Sequence, residues 1–193
     1  QYAWHGDGTE VVNGDGDDRT NGPFSLWGQR LSTPGFSATQ AAADVDRDGF
    51  LEVANVGFSS ESVYVWNRQG ALLNGWPKWV MGDLNWGSVG LYDLDLDGKL
   101  EIVVWAAKGG RLFAWRPNGI ELADGDNDPS TNGVLARVFG VNYSYGSVAF
   151  AQLDGDPQPE IVVPVNRSND NTGGIYAFNS NGTPAAGWPV FTG

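Results

Sequence analysis

Short apolar runs alternate with acidic and glycine-rich turns along the whole chain. A typical pair is "LEIVVWA" followed after a few residues by "RLFAW". Runs of this length that are rich in Val, Ile and aromatic residues and are bounded by Gly, Asn and Asp are typical of β-strands. The pattern therefore predicts an all-β protein.

The same acidic loop returns three times. It reads "DVDRDGFLEV" from Asp44, "DLDLDGKLEI" from Asp93 and "QLDGDPQPEI" from Gln152. Each copy follows a run of small residues and precedes an apolar strand and an aromatic strand. A repeat of this kind indicates stacked structural units.

The aromatic strand marks the length of each unit. Its last aromatic position is Trp4, Trp66, Trp115 and Phe178, so the spacings are 62, 49 and 63 residues. Each complete unit contains a small-residue strand, an apolar strand, an aromatic strand and a shorter outer strand. Four short antiparallel strands per unit are typical of a β-propeller blade, whose inner strand lies at a crowded axis and favours small side chains.

The chain is accordingly predicted to be one β-propeller segment over 1–193, with three full blades and a partial one. The expected divisions are the outer part of a blade with an acidic insertion (1–36), a blade (37–85), a blade with an acidic insertion (86–144) and a last blade (145–193). Such a segment belongs to a larger propeller or is completed by other copies. A solenoid or a β-sandwich is the alternative architecture, although a sandwich does not explain the regular return of one acidic loop.

Composition narrows the possible partners. The chain has 23 acidic and 11 basic residues and a formal net charge of -12, which argues against nucleic acid as a partner and favours cations. There is no cysteine, so disulfides and thiolate metal sites are excluded. No apolar run approaches the length of a membrane span. Because the sequence starts at Gln1 without a signal-peptide pattern, we expect a processed or excised segment.

Alternating aspartates followed by glycine place several carboxylates in one tight loop, and hard oxygen donors of this kind suit Ca²⁺. The closing acid comes at the ninth position rather than the twelfth, so the loop is not an EF-hand. The predicted side-chain ligands of the first two loops are Asp44, Asp46, Asp48 and Glu52, then Asp93, Asp95, Asp97 and Glu101. The carbonyl groups of Phe50 and Lys99 are predicted backbone ligands.

The remaining acidic segments depart from this pattern. In the third loop Gln152 replaces the first aspartate and Pro157 replaces the glycine, leaving Asp154, Asp156 and Glu160, and we expect a weaker Ca²⁺ site or none. Two insertions repeat the alternation without a clear closing acid, so a metal site and a plain Asx turn are equally compatible with them. Their candidate ligands are Asn13, Asp15, Asp17, Asp124, Asp126 and Asp128.

The unit "GSVGLYDLDLDGKLEIVVWAAKGGRLFAWRPNG" resembles the FG-GAP or VCBS-type repeat, which forms the blades of integrin α-subunit propellers and of many secreted bacterial proteins. The segments "WNRQGALLNGWP" and "FNSNGTPAAGWP" resemble the turns between blades in the bacterial group. The resemblance covers nearly the whole chain except the insertions. It implies an extracellular or cell-surface, Ca²⁺-loaded β-propeller, and it implies no reaction.

Three functions are compatible with these features. The first is a non-enzymatic adhesion, ligand-binding or structural module stiffened by Ca²⁺, because the repeat and the metal account for the recurring polar residues. The second is a fragment of a polysaccharide-active, lyase-like enzyme, although His5 is the only histidine and no nucleotide motif is present. The third is a self-assembling filament or surface-fibre subunit, because open blade edges can pair with another chain.

Surface contacts are predicted from aromatic residues and sequons. A glycan or protein ligand could contact any exposed cluster among the less regular aromatic residues, which are Trp27, Trp79, Trp86, Trp105, Tyr143 and Tyr145. Trp4, Trp66, Trp115 and Phe178 are instead expected in the core between blades. Three N-glycosylation sequons begin at Asn142, Asn166 and Asn181.

Overall fold

Each repeat unit forms one four-stranded antiparallel sheet in which strand order follows the chain. The computed structural model describes residues 40–57, 60–80, 87–106, 108–128, 130, 132–141, 146–166 and 173–192. The predicted opening fragment 1–36, with Asn13, Asp15 and Asp17, therefore lies outside the described residues, as does Asn142. All regular elements of the described part are strands, which confirms the all-β prediction.

We call the three sheets blades 1 to 3. Blade 1 contains β1 (Ala41–Ala43), β2 (Glu52–Gly57), β3 (Ser62–Trp66) and β4 (Lys78–Trp79). Blade 2 contains β5 (Gly90–Tyr92), β6 (Glu101–Ala106), β7 (Arg111–Trp115) and β8 (Val134–Arg137). Blade 3 contains β9 (Ala149–Ala151), β10 (Glu160–Asn166), β11 (Gly173–Phe178) and β12 (Val190–Thr192). The four predicted strands of a blade are thus all present, three times over.

Two apolar clusters hold neighbouring blades together. Alternate residues of β2 and β3, such as Ala54 and Val65, pack with Phe113 and Trp115 of blade 2. The other face of blade 2, including Trp105 and Leu112, packs with Ile161 of blade 3. Because blade 2 is covered on both faces, every residue of β6 is buried. The continuous apolar run of β6 agrees with this, since a strand buried on both faces needs apolar residues at successive positions.

The aromatic and small residues take the places expected for a propeller blade. Trp66, Trp115 and Phe178 are buried, as predicted. A Cβ added at Gly90 on the inner strand β5 would overlap Val148 and Phe150 of the next blade, which explains the small residue there. The structure corrects the aromatic-cluster prediction for Trp105, which is buried in the core, whereas Trp79 is exposed.

A turn of blade 1 also contacts blade 2 directly. The indole N–H of Trp76 donates a 2.7 Å hydrogen bond to the carbonyl oxygen of Pro117. The Trp76 ring lies edge-on to Trp115, with ring centroids 5.8 Å apart. These contacts fix the angle between blades 1 and 2, and hence the separation of the two acidic loops that precede β2 and β6.

Candidate metal centre

Loops 1 to 3 each connect the inner strand of a blade to its second strand, and a fourth acidic loop, the insertion loop, lies between β7 and β8. We number the positions 1 to 9 in loop 1 (44–52), loop 2 (93–101), loop 3 (152–160) and the insertion loop (124–132). In all four loops the N–H of position 5 donates to the position 3 carboxylate, and the N–H of position 7 donates to the position 5 carboxylate. These Asx turns explain the alternate spacing of the aspartates.

Position 4 has a left-handed backbone in every loop. The φ angle is 65° at Arg47, 61° at Leu96, 59° at Asn127 and 92° at Gly155. Non-glycine residues rarely adopt this conformation, so the surrounding loop must hold it in place. Position 6 is also left-handed in loops 1 and 2, where Gly49 and Gly98 both have φ of 88°. A side chain is disfavoured at that position, and the sequence correctly predicts a glycine-dependent turn there.

The closing glutamate lies under the loop, with one oxygen bonded to the backbone. Glu52 accepts a 3.0 Å hydrogen bond from the N–H of Val45, and Glu101 accepts one of 2.7 Å from Leu94. In loop 3, Glu160 accepts a 2.5 Å bond from Leu153. All three glutamates are at most 1% exposed. The residue at position 9 therefore closes the loop as well as bringing a carboxylate beneath it.

Three groups of acidic oxygens come together in the described residues. Within each group the oxygens lie within 4.8 Å of one another. The groups are Asp44, Asp46 and Asp48; Asp93, Asp95 and Glu101; and Asp154, Asp156 and Glu160. Glu52 and Asp97 do not join their groups, and Asp124, Asp126 and Asp128 do not form one. The carbonyl-ligand prediction for Phe50 and Lys99 stays a prediction; their N–H groups donate to Asp48 and Asp97 at 2.8 Å.

Loops 1 and 2 contain buried carboxylate oxygens that make no hydrogen bond in the described structure. These atoms are Oδ1 of Asp44, Oδ1 of Asp93 and Oε1 of Glu101. A buried carboxylate oxygen without a partner is costly. Burial raises the pKa of Glu101 to about 7, against the lowering effect of the Leu94 hydrogen bond. Burial likewise raises the pKa of Glu52. A divalent cation would satisfy these oxygens and restore the charged form, so the residues of loops 1 and 2 fit Ca²⁺.

The two loops lie against each other. The N–H of Leu100 in loop 2 donates a 2.9 Å hydrogen bond to the carbonyl of Val45 in loop 1. The guanidinium of Arg47 lies over Gly98, where an added Cβ would have to displace it. A cleft of about 400 Å³ lies beside them, lined partly by Asp46, Asp97 and Lys99. Any ion bound in one loop would therefore affect the neighbouring blade.

Arg116 is a site residue that sequence reasoning misses. Its guanidinium forms a 3.0 Å ion pair with Asp95 and also donates to the carbonyls of Glu121 and Leu122. One oxygen of the position 3 carboxylate in loop 2 is thus held by an arginine at the end of β7. The "RPNG" turn gives no signal for this role, because the contact spans 21 residues and depends on the fold of the blade.

The insertion loop is closed by an amide instead of an acid. Asn132, at position 9, donates through Nδ2 to the carboxylates of Asp126 at 3.1 Å and Asp128 at 3.5 Å. The N–H of Ser130 is the main cause that lowers the pKa of Asp128. The charge of this loop is therefore stabilised by protein donors. The sequence pattern that could have indicated this closure by an asparagine is the "TNG" that ends both insertions, at 20–22 and 131–133.

The predicted glycosylation sites are partly described. Asn166 ends β10 and is exposed. Asn181 lies in an exposed turn, where its Oδ1 accepts hydrogen bonds from the N–H and hydroxyl of Thr183 at 3.0 and 2.7 Å. Both are accessible, and modification of either stays a prediction. In the described residues no helix is long and apolar enough to cross a membrane.

Comparison with known proteins finds one repeat family and one solved structure that resemble parts of this chain. The chain is similar to the V. cholerae biofilm matrix protein Bap1, with 23% identity and a TM-score of 0.39; the match covers 79% of this chain and spans 28% of the length of that one. No curated protein matches the chain. Residues 44–104, which include loops 1 and 2, match the family described as the FG-GAP-like repeat.

Proposed function

We propose that this chain is a non-enzymatic, calcium-stiffened β-propeller module of an extracellular adhesion or structural protein, with one Ca²⁺ ion in loop 1 and one in loop 2. The observation that carries the proposal is the set of buried, unpaired oxygens on Asp44, Asp93 and Glu101. Two ions would bring four positive charges to a chain with a net charge of -12. Each ion would tie the inner strand of its blade to the second strand.

An extracellular location agrees with this chemistry and with the FG-GAP-like match. Each loop offers only a few carboxylates, and one of those in loop 2 is shared with Arg116. Such a site suits the modest affinity of extracellular calcium modules, about 10⁻⁴ to 10⁻³ M, rather than that of a cytosolic sensor. The ion would then stabilise the blade reversibly, and its removal would loosen the connection between the inner and second strands.

The direct test is calcium binding and thermal unfolding of the whole chain. At a calcium concentration a hundredfold above Kd, each occupied site adds about 2.7 kcal/mol and raises the melting temperature by roughly 5 to 10 °C, so the two sites together should raise it by roughly 10 to 20 °C over the EDTA sample. Asp46→Asn should remove the loop 1 site and Asp95→Asn the loop 2 site. Glu61→Gln, which removes one acid outside the loops, should keep both. Calorimetry without binding heat, together with equal melting temperatures in EDTA and calcium, would overturn the proposal.

A second candidate function, self-assembly, is favoured by one repeat position. Val63 of blade 1 and Leu112 of blade 2 are 0% exposed, whereas Ile175, at the same position of blade 3, is 36% exposed. Val190, paired with Ile175, is 51% exposed. In blades 1 and 2 a neighbouring blade covers this position. We propose that a second copy of the chain covers it in blade 3, which would continue the blade-to-blade packing between molecules.

A further inference from the structure

We propose that loop 3 binds no cation because the side-chain amide of Gln152 takes over the cation's role. This inference rests on the proposed function of loops 1 and 2. The Nε2 group of Gln152 donates to the carbonyl oxygens of Asp156 and Gln158, the latter at 3.3 Å. Gln158 is at position 7, whose carbonyl is the predicted backbone ligand in loops 1 and 2. In loop 3 this oxygen is instead paired with a protein N–H.

The other end of the amide completes the loop. The Oε1 atom of Gln152 accepts hydrogen bonds from the N–H of Asp154 at 3.1 Å and of Gly155 at 2.7 Å. Donor and acceptor are thus both used, and only one orientation of the amide satisfies all four partners. In loop 1, by contrast, position 1 is Asp44, which accepts one bond from Gly49 at 3.0 Å and has a second oxygen buried without a partner.

Proline residues explain why loop 3 needs a different closure. Position 6 is Pro157, which has no N–H to replace the one that Gly49 donates to Asp44. Proline also cannot adopt the φ of 88° found at Gly49 and Gly98. A second proline, Pro159, removes the N–H that Leu100 uses to bond loop 2 to loop 1. The backbone of loop 3 therefore differs at these two positions. The side chain of Gln152 is long enough to reach the carbonyl groups of Asp156 and Gln158.

The number of carboxylates does not separate loop 3 from the others, because Asp154, Asp156 and Glu160 also lie close together. The difference is in the donors. A cation at loop 3 would have to displace the N–H donors of Gln152 from two carbonyl oxygens. The closing glutamates also differ: Oε1 of Glu101 is buried and unpaired, whereas Glu160 has no such oxygen, and Asp154 and Asp156 are exposed to solvent. Loop 3 therefore leaves less buried charge for a cation to satisfy.

The experiment counts calcium ions bound per chain by calorimetry and compares each variant with the wild type. Asp154→Asn removes a carboxylate from loop 3 and should leave the count unchanged. The double variant Gln152→Asp/Pro157→Gly restores the full acidic pattern and should bind one ion more. In EDTA the double variant should melt below the wild type, because it adds an unpaired carboxylate, and calcium should reverse this difference.

Two results would overturn the inference: loss of one ion in Asp154→Asn, or no added ion in a folded double variant. If the double variant does not fold, Gln152→Glu tests the same point, since it keeps the length and removes the donor. It should give a larger calcium-induced rise in melting temperature than the wild type, and an unchanged rise counts against the inference. These comparisons are differences from the wild type, so they are independent of the Asp46→Asn and Asp95→Asn results that test loops 1 and 2.

Discussion

The carboxylate of Glu101 accepts a 2.7 Å hydrogen bond from the backbone N–H of Leu94 while its other oxygen, Oε1, is buried and unpaired. Glu101 therefore has two roles, closing loop 2 through one oxygen and presenting charge to the loop through the other. The closing role is the same at Glu52 and Glu160. It requires no metal, which explains why loop 3 keeps its glutamate although its first aspartate is replaced.

The first prediction concerns pH. Burial raises the pKa of Glu101 from 4.5 to about 7, the Leu94 N–H opposes this, and the neighbouring Asp95 adds to the rise. The folded chain thus binds more protons than the unfolded chain in that window. We expect calcium-free stability to fall as pH rises from about 4.5 to 7, with the raised pKa of Glu52 acting in the same direction. Calcium affinity should increase over the same range, because the ion requires the carboxylate.

Glu101→Gln is the matched control for the pH prediction. Glutamine keeps an oxygen that can accept the Leu94 bond but cannot titrate. We therefore expect the melting temperature of the wild type to fall relative to that of Glu101→Gln as the pH rises from 4.5 to 8 in EDTA. A difference that does not vary with pH would mean that Glu101 is charged throughout.

The sequence predicted the strands and loops well, because both depend on local pattern. The alternation around "LEIVVWA", the glycine at position 6 and the burial of Trp115 follow from residue type and repeat position. Contacts between distant residues could not be predicted in this way. Arg116 reaches Asp95 only after the blade has folded, and Trp105 is buried only because blade 3 covers it. The amide contacts of Gln152 also depend on the folded loop, since from the sequence alone a glutamine in place of aspartate indicates only a lost ligand.

The second prediction compares two glycines at the same repeat position, Gly75 in blade 1 and Gly187 in blade 3. Their φ angles are 89° and 84°, so alanine is strained at both by roughly 1 to 2 kcal/mol. Only at Gly75 would a Cβ also overlap another blade, at the carbonyl oxygen of Asn118. We expect Gly75→Ala to cost about 1 to 3 kcal/mol more than Gly187→Ala. Urea unfolding in saturating calcium measures both, and equal losses would show that the contact between blades 1 and 2 is easily relaxed.

The third prediction concerns the bond between Trp76 and Pro117. Trp76→Phe removes the indole donor and leaves the buried Pro117 carbonyl without that partner, which should cost about 1 to 3 kcal/mol. Trp188→Phe is the control, because Trp188 follows Gly187 at the same repeat position and is only half-buried. Its loss should be smaller than that of Trp76→Phe. Urea unfolding measures the free energy of unfolding of both variants. A larger loss for Trp188→Phe would contradict a stabilising role of the Trp76–Pro117 hydrogen bond.

The last prediction tests self-assembly through blade 3. Ile175 pairs with Val190 across β11 and β12, both expose apolar surface, and the position of Ile175 is buried in blades 1 and 2. Ile175→Glu would place a charge on this surface, and a buried unpaired charge strongly opposes association. In calcium, light scattering of the wild type should give a mass that rises with concentration, while Ile175→Glu should stay monomeric with a nearly unchanged melting temperature when dilute. Ile120→Glu, which adds the same charge at an exposed isoleucine in a turn of blade 2, should still associate. If the wild type is monomeric at all concentrations, the proposed self-assembly through this face is wrong. The proposal of calcium sites in loops 1 and 2 does not depend on that result.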